Sequence, residues 1–242
     1  MMWGYVRLEL TRSMRDGGYV IFGIVMPVVM YLVFTNLGLA PGDRHDAAIY
    51  TMVSMAAYGA LGGAFNNGSG IAEDRAAGWL RQLRLTPLTS AQVVAGKVVT
   101  GAVAVVPSIA AVLLAGVLVN HVTLPPQRWL AIVALLWAGT VPFSLLGLGN
   151  GYRLSGQSAA MANIATMLTL AILGGLWVPV ENFPSWLRAI AEWTPSNSYA
   201  GLSWRIAFGD VPTLRQVVLL SAWLLVFGVY AVYGYRRAGR RA

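Results

Sequence analysis

Apolar residues in this chain come in six long blocks from which Asp, Glu, Lys and Arg are missing: residues 17–42, 47–72, 98–127, 129–152, 154–180 and 216–235. Even the shortest, at 20 residues, is long enough for an α-helix to cross the hydrocarbon core of a bilayer. Stretches such as YVIFGIVMPVVMYLVF (19–34) and VVLLSAWLLVFGVYAVYGY (217–235) are apolar nearly throughout. A helix in the core of a soluble protein shows charges on its outer face every few residues. Here the outer face has none, so it meets lipid. The pattern predicts an all-α integral membrane protein with spans at about 18–39, 47–70, 98–120, 128–150, 157–179 and 215–235.

Between the blocks the periodicity changes. Trp3, Val6, Leu10 and Met14 recur at helical spacing, with Arg7, Arg12 and Arg15 on other faces, so residues 3–16 read as a basic amphipathic helix lying in the membrane interface. Pro27, Pro107 and Pro142 fall inside the first, third and fourth spans, and Pro27 predicts a kink. Gly59 and Gly63 in the second span form a small-xxx-small pair that either admits another helix closely or faces lipid. The fifth span is rich in small and weakly polar residues, a surface suited to helix packing or to lining a path. Before the last span, short amphipathic pieces over about 184–209 place Trp186, Leu187, Ile190 and Trp193 on one face, and Pro195 ends the first of them. Neither piece can span; both could lie on the membrane or dip part-way in.

The composition agrees: 57% hydrophobic, 11% charged and a mean hydropathy of +0.63 over 242 residues. Six spans and their loops use nearly the whole chain as one transmembrane domain, 1–242, with no room for a separate soluble domain. The first apolar run is long and lacks a small-residue cleavage site, so no cleaved signal peptide is expected. Cysteine is absent, which removes disulfides and thiolate metal sites, and His45 and His121 read as loop polar residues near span ends.

The net charge of +8 could point to nucleic acid, but its distribution fits a membrane better. With the N-terminus inside, 12 basic residues fall in cytoplasmic segments (Arg7, Arg12, Arg15, Arg75, Arg81, Arg84, Lys97, Arg153, Arg236, Arg237, Arg240, Arg241). Only 5 fall outside: Arg44, Arg128, Arg188, Arg205 and Arg215. The positive-inside rule therefore places both termini in the cytoplasm of a multi-pass protein of the inner (cytoplasmic) membrane. The tail RRAGRR belongs at anionic headgroups; no nucleic-acid partner is expected.

Much chemistry is missing. Gly96-Lys97 is followed by Val98, and Ala91 stands where a phosphate loop needs its first glycine, so no GxxxxGK[ST] motif exists. No carboxylate, lysine or arginine lies inside a span, although ion-coupled transporters and intramembrane enzymes usually keep such groups despite an insertion cost of about 2.5–3.5 kcal/mol each. No HExxH, Asp-rich motif or Ser/His/Asp set appears. If the chain moves a solute uphill, the energy must enter from another subunit. The inlet is the long cytoplasmic segment 73–97, EDRAAGWLRQLRLTPLTSAQVVAGK.

In that segment Glu73-Asp74-Arg75 opens a short helix, with its acids where the helix dipole favours them. Leu80 and Leu83 supply apolar contacts, Arg81 and Arg84 the polar side, and Thr86-Pro87 ends the helix. A second helix then runs through Gly96-Lys97 into the third span. A solvated loop helix would suit the composition equally well.

The order of acid–base residues, Gly78, Leu83, Thr86-Pro87-Leu88 and Gly96-Lys97 closely resembles the type-2 permeases of ABC exporters, and the resemblance covers the whole chain. It implies that the stretch matching 73–88 is a coupling helix (about 73–86) docking in a groove on an ATPase subunit. On the same resemblance Glu73, Asp74, Arg75, Gly78, Trp79, Leu80, Leu83, Thr86, Pro87, Gly96 and Lys97 are the expected ATPase-coupling residues. Trp79 departs from the family, which often has a small threonine there. The resemblance further implies short outer helices that help close the exit, carrying Trp186, Ile190, Trp193, Pro195 and Tyr199.

A half-transporter is the assembly that this resemblance implies. Two permease chains, identical or related, sit above two copies of an ABC ATPase that holds the ATP and Mg; this chain binds no cofactor of its own. The first and fifth spans would line the path, with Phe22, Met26, Met30, Tyr31, Asn163, Thr166 and Met167 as lining candidates, though plain helix packing explains the same residues. Uncharged aliphatic, aromatic and thioether walls suit a hydrophobic or amphipathic cargo, such as a drug, antibiotic or lipid. Two rival readings are a non-transporting membrane anchor for an ATPase and a membrane enzyme acting on lipids.

Overall fold

The computed structural model describes residue 11 and residues 17–37, 43–76, 97–99 and 101–241, with side chains for all of these except 73–76 and 239–241. Apart from Thr11, the predicted interfacial helix over 3–16 lies outside the described residues. Among the described residues the structure is helical with no strand. Six helices among the described residues are long and apolar enough to cross a membrane.

The first, α1, covers Gly17–Leu37. The second, α2, covers Arg44–Ala76. The third span, Lys97–Asn120, has α3 (Val106–Asn120) as its longest uninterrupted part. The fourth, Pro126–Arg153, is broken into α4 (Pro126–Ala138) and α5 (Val141–Arg153). The fifth is α6 (Gly156–Leu173), shorter than the predicted span because Gly174-Gly175 ends it. Two short helices come next, α7 (Ser185–Ala191) and α8 (Pro195–Phe208), and the last span lies in α9 (Leu214–Arg241). Alternation of direction leaves Ala76, Lys97 and Arg153 at one end of the bundle, the near end. Arg44, His121, α7 and α8 lie at the far end.

The axis of the bundle is α2. Its residues from Ala47 to Phe65 are buried on every face but for half-buried Tyr50, with α1, α3, α5, α6 and α8 packed around it. Small residues permit this. A Cβ on Gly59 would lie 2.9 Å from the Gly23 carbonyl of α1 and would collide with the Ser108 hydroxyl of α3. One on Gly63 would lie 3.5 Å from the Val105 Cα. The pair is thus a three-helix contact, not a lipid-facing surface. Lower down, Gly68 meets Gly147 and Gly151 of α5 backbone to backbone. Larger side chains fill the remaining space: Tyr31, Met52, Tyr58, Leu61 and Phe143 are almost completely enclosed.

The prolines interrupt spans, and other helices repair the damage. Pro27 brings no N–H to the Gly23 carbonyl one turn earlier, and the Ser108 hydroxyl donates to it instead. Just before Pro27 the helix loosens into a π turn, Val20–Val25, in which the Met26 N–H reaches back to Ile21. In the turn before Pro107, the Ala104 carbonyl accepts from the Tyr19 hydroxyl at 2.5 Å and the Ala102 carbonyl from the Trp137 indole at 2.8 Å. The break between α4 and α5 at Gly139-Thr140 frees the Leu136 carbonyl, and the Tyr199 hydroxyl fills it at 2.8 Å.

Ends are set by recognisable caps. Asp43 caps α2, its carboxylate accepting the His45 and Asp46 backbone N–H groups at 2.9 Å each. Those two bonds hold the carboxyl below its usual pKa. Left-handed Gly175 closes α6, where Leu176 N–H bonds Ala171 at 3.0 Å. His121, at φ 51°, closes α3 the same way.

Candidate functional site

Because the apolar blocks hold no charge, polar side chains in the interior of the bundle are the conspicuous groups. Asn163 of α6 uses its whole carboxamide: its Nδ2 donates to the Phe65 carbonyl and to Ser69 Oγ of α2, both at 3.1 Å. Its Oδ1 accepts from Asn150 Nδ2 of α5 at 2.9 Å. Asn150 Oδ1 in turn accepts from the Tyr230 hydroxyl of α9 at 2.9 Å. One chain of hydrogen bonds therefore ties the second, fourth, fifth and sixth spans together near their shared end. An amide buried in hydrocarbon without partners is costly, and each of these has them. Sequence reasoning picked Asn163 but missed Asn150, Ser69 and Tyr230; amides inside charge-free blocks were the available signal.

At the same end Asn67 Nδ2 donates to the Lys97 carbonyl at 2.8 Å, fastening the start of the third span to α2. Beyond Asn67, α2 does not stop: its helix continues through Glu73, Asp74, Arg75 and Ala76. These residues therefore extend the second span and do not open a separate helix, contrary to the dipole argument from sequence. The acids lie at the C-terminal end of the described helix. Gly78, Trp79, Leu80, Leu83, Thr86, Pro87 and Gly96 lie outside the described residues.

The far end is built from α7 and α8, which differ sharply. Trp186, Ile190 and Trp193 stand exposed on and just after α7. Pro195 and Tyr199 are buried in α8, which packs against α2, α4, α6 and α9 as a helix folded back into the bundle. Its serines explain how. Ser196 Oγ donates to the Leu170 carbonyl at 2.6 Å and Asn197 Nδ2 to Gly174 at 3.2 Å, both at the end of α6. Thr194 caps the helix, accepting the Asn197 N–H at 3.2 Å, and Pro195 opens it. Trp204 stacks on Tyr50 with ring centres 4.7 Å apart, and its indole reaches Ser54 at 3.1 Å. Arg215 pairs with Glu192 at 3.0 Å and lies over the Trp193 ring, joining α7 to α9.

The candidate lining residues divide. Phe22 and Met26 are on the exposed face of α1, in a stripe with Val25, Val29 and Val33. Met30 and Tyr31 turn inward, the Tyr31 hydroxyl bonding Asn120 Oδ1 of α3 at 2.7 Å. On α6, Asn163 and Met167 face α2 and Thr166 is half-buried. The exposed stripe of α6 is Met161, Ile164, Ala165, Thr169 and Ile172. Both α1 and α6 lean on α2 and leave uncharged faces open.

Fold and composition together define a multi-pass α-helical membrane protein with an uncharged, internally hydrogen-bonded bundle. Residues 39–233 match the family described as ABC-2 family transporter protein. The chain is also 30% identical over 233 residues to a Bacillus subtilis (strain 168) protein named "Putative transport permease YvfS", in an alignment covering 95% of this chain and 94% of that one. The chain belongs to the ABC-2 transporter family and is a transport permease subunit.

Proposed function

We propose that this chain is the membrane half of an ATP-driven exporter in the cytoplasmic membrane, with both termini and the near end inside. A separate ABC ATPase, in two copies, docks on the 73–97 segment, and a second permease chain completes the path. The cargo is hydrophobic or amphipathic, a drug, antibiotic or lipid-like molecule. One observation carries the reading: α2, enclosed by its neighbours, runs without a break from Arg44 to Ala76 and so into the coupling segment.

A rod of this kind transmits a push at its end to every span packed on it. The Asn163–Asn150–Tyr230 chain supports the same view, because it ties α5, α6 and α9 to α2. ATP-driven closure of the ATPase pair would then rotate each bundle as a largely rigid body. The uncharged stripes on α1 and α6 supply walls for amphipathic cargo and surfaces for the second permease.

The test is co-production with a candidate ABC ATPase. Replacing Glu73 with Ala, or Gly78 with Val, uncouples ATP hydrolysis from export. Transport that survives both substitutions refutes the coupling role.

A further inference from the structure

A cavity of about 340 Å³ opens between α5 and α9 at the near end, and the transport reading makes no use of it. Arg153 and Arg237 line it together with Tyr152, Tyr230 and Gly234. Arg153 is the last residue of α5, and the charge-free blocks 129–152 and 216–235 stop just short of the two arginines. Both guanidiniums therefore sit where hydrocarbon gives way to headgroups.

Arg153 lies 5.2 Å from the ring centre of Tyr230 and 6.0 Å from that of Tyr233, so aromatic faces hold the cation in place. Among the described residues neither arginine has a carboxylate within ion-pair distance; the ion pairs found are at the far end. Gly234 keeps the wall thin: a Cβ there would lie 3.3 Å from Tyr152 Cβ and 3.4 Å from Arg153 Cγ. Along α9 toward the far end, Val226, Val229 and Tyr233 form an exposed strip at helical spacing.

We infer that this cavity binds the phosphodiester of an anionic phospholipid headgroup. Arg153 and Arg237 take the phosphate oxygens, for which the guanidinium fork is suited. The acyl chains lie along the Val226–Val229–Tyr233 strip, which a free phosphate would not use. Tyr230 lines the cavity and also donates to Asn150, so the site adjoins the hydrogen-bond chain inside the bundle.

The full chain in detergent is titrated with dioctanoylphosphatidylglycerol, dioctanoylphosphatidylcholine and inorganic phosphate, and binding is read by native mass spectrometry. No ATP or companion subunit is needed, so failure here leaves the transport reading standing. Phosphatidylglycerol binds saturably and phosphatidylcholine does not compete. R153Q/R237Q weakens binding on the order of tenfold or more, and R153K/R237K, which keeps charge without the fork, falls between. R240Q/R241Q removes the same charge from the tail and stays within about twofold. Unchanged binding in R153Q/R237Q overturns the site. An equal loss in R240Q/R241Q reduces it to general attraction and also overturns it. Inorganic phosphate binding as tightly as the lipid overturns the lipid assignment.

Discussion

Asn150 and Asn163 face each other across α5 and α6 with 2.9 Å between Nδ2 and Oδ1, and each is also bonded to a further helix. Interhelical hydrogen bonds inside membranes average about 0.6 kcal/mol and reach about 1.7. Because Asn163 makes three, Asn163→Ala is expected to cost about 1–3 kcal/mol. Unfolding by dodecyl sulfate, followed by helical circular dichroism, measures it. A double-mutant cycle with Asn150→Ala should return a coupling of about 0.5–3 kcal/mol; strict additivity would mean the pair does not interact.

Two glycines of α2, two residues apart, should respond in opposite ways. A Cβ on Gly68 collides with the Gly147 backbone, whereas one on Gly70 meets nothing within 4 Å. Gly68→Ala pushes the second and fourth spans apart and is expected to destabilise by about 1–3 kcal/mol. Gly70→Ala removes only backbone freedom and should stabilise by up to about 1 kcal/mol. The same unfolding assay decides, and equal effects would contradict the backbone contact.

Tyr199 plugs the break in the fourth span. Its hydroxyl donates to Leu136, while the Thr140 N–H that would otherwise serve that carbonyl bonds Trp137 at 3.3 Å. Tyr199→Phe leaves the carbonyl buried without a donor, at a cost of about 1–3 kcal/mol. Exposed Trp193→Phe should stay within about 0.5 kcal/mol. If the two variants unfold alike, the plug is unimportant.

The hydrophobic blocks made the six spans legible because absence of charge is a local property of sequence. The Gly59–Gly63 spacing and Pro27 were legible for the same reason. Meetings between distant residues were not. Gly68 and Gly147 are both ordinary small residues in apolar runs, and only the fold shows that they touch. Asn150 and Tyr230 lie 80 positions apart, so no spacing rule joins them. The amphipathic pattern over 195–208 left open whether that piece lies on the membrane or dips in; its burial depends on partners far along the chain, such as the Leu170 carbonyl at the end of α6 that accepts from Ser196. Glu73-Asp74-Arg75 misled because acids mark helix starts in general, and here the preceding span continues through them.

Because the chain contains no cysteine, single cysteines can test which faces meet the proposed second permease. Val29→Cys on α1 and Ile164→Cys on α6 lie in the exposed stripes, as Val218→Cys does on α9. In native membranes the first two are expected to form disulfide-linked permease pairs on mild oxidation and the third is not. The gel mobility of the products measures this, and linkage through Val218 alone would move the permease contact to the last span.

An external ATPase is proposed to drive cargo through this chain by way of α2 and the segment beyond its C-terminal end. ATP-dependent flux of an amphipathic fluorescent cargo in proteoliposomes containing the permease and a candidate companion ATPase measures this. Flux is predicted to require both proteins and ATP, and to be lost in Gly78→Val while ATP hydrolysis continues. Equal flux from the permease alone, or undiminished flux in Gly78→Val, would contradict the account.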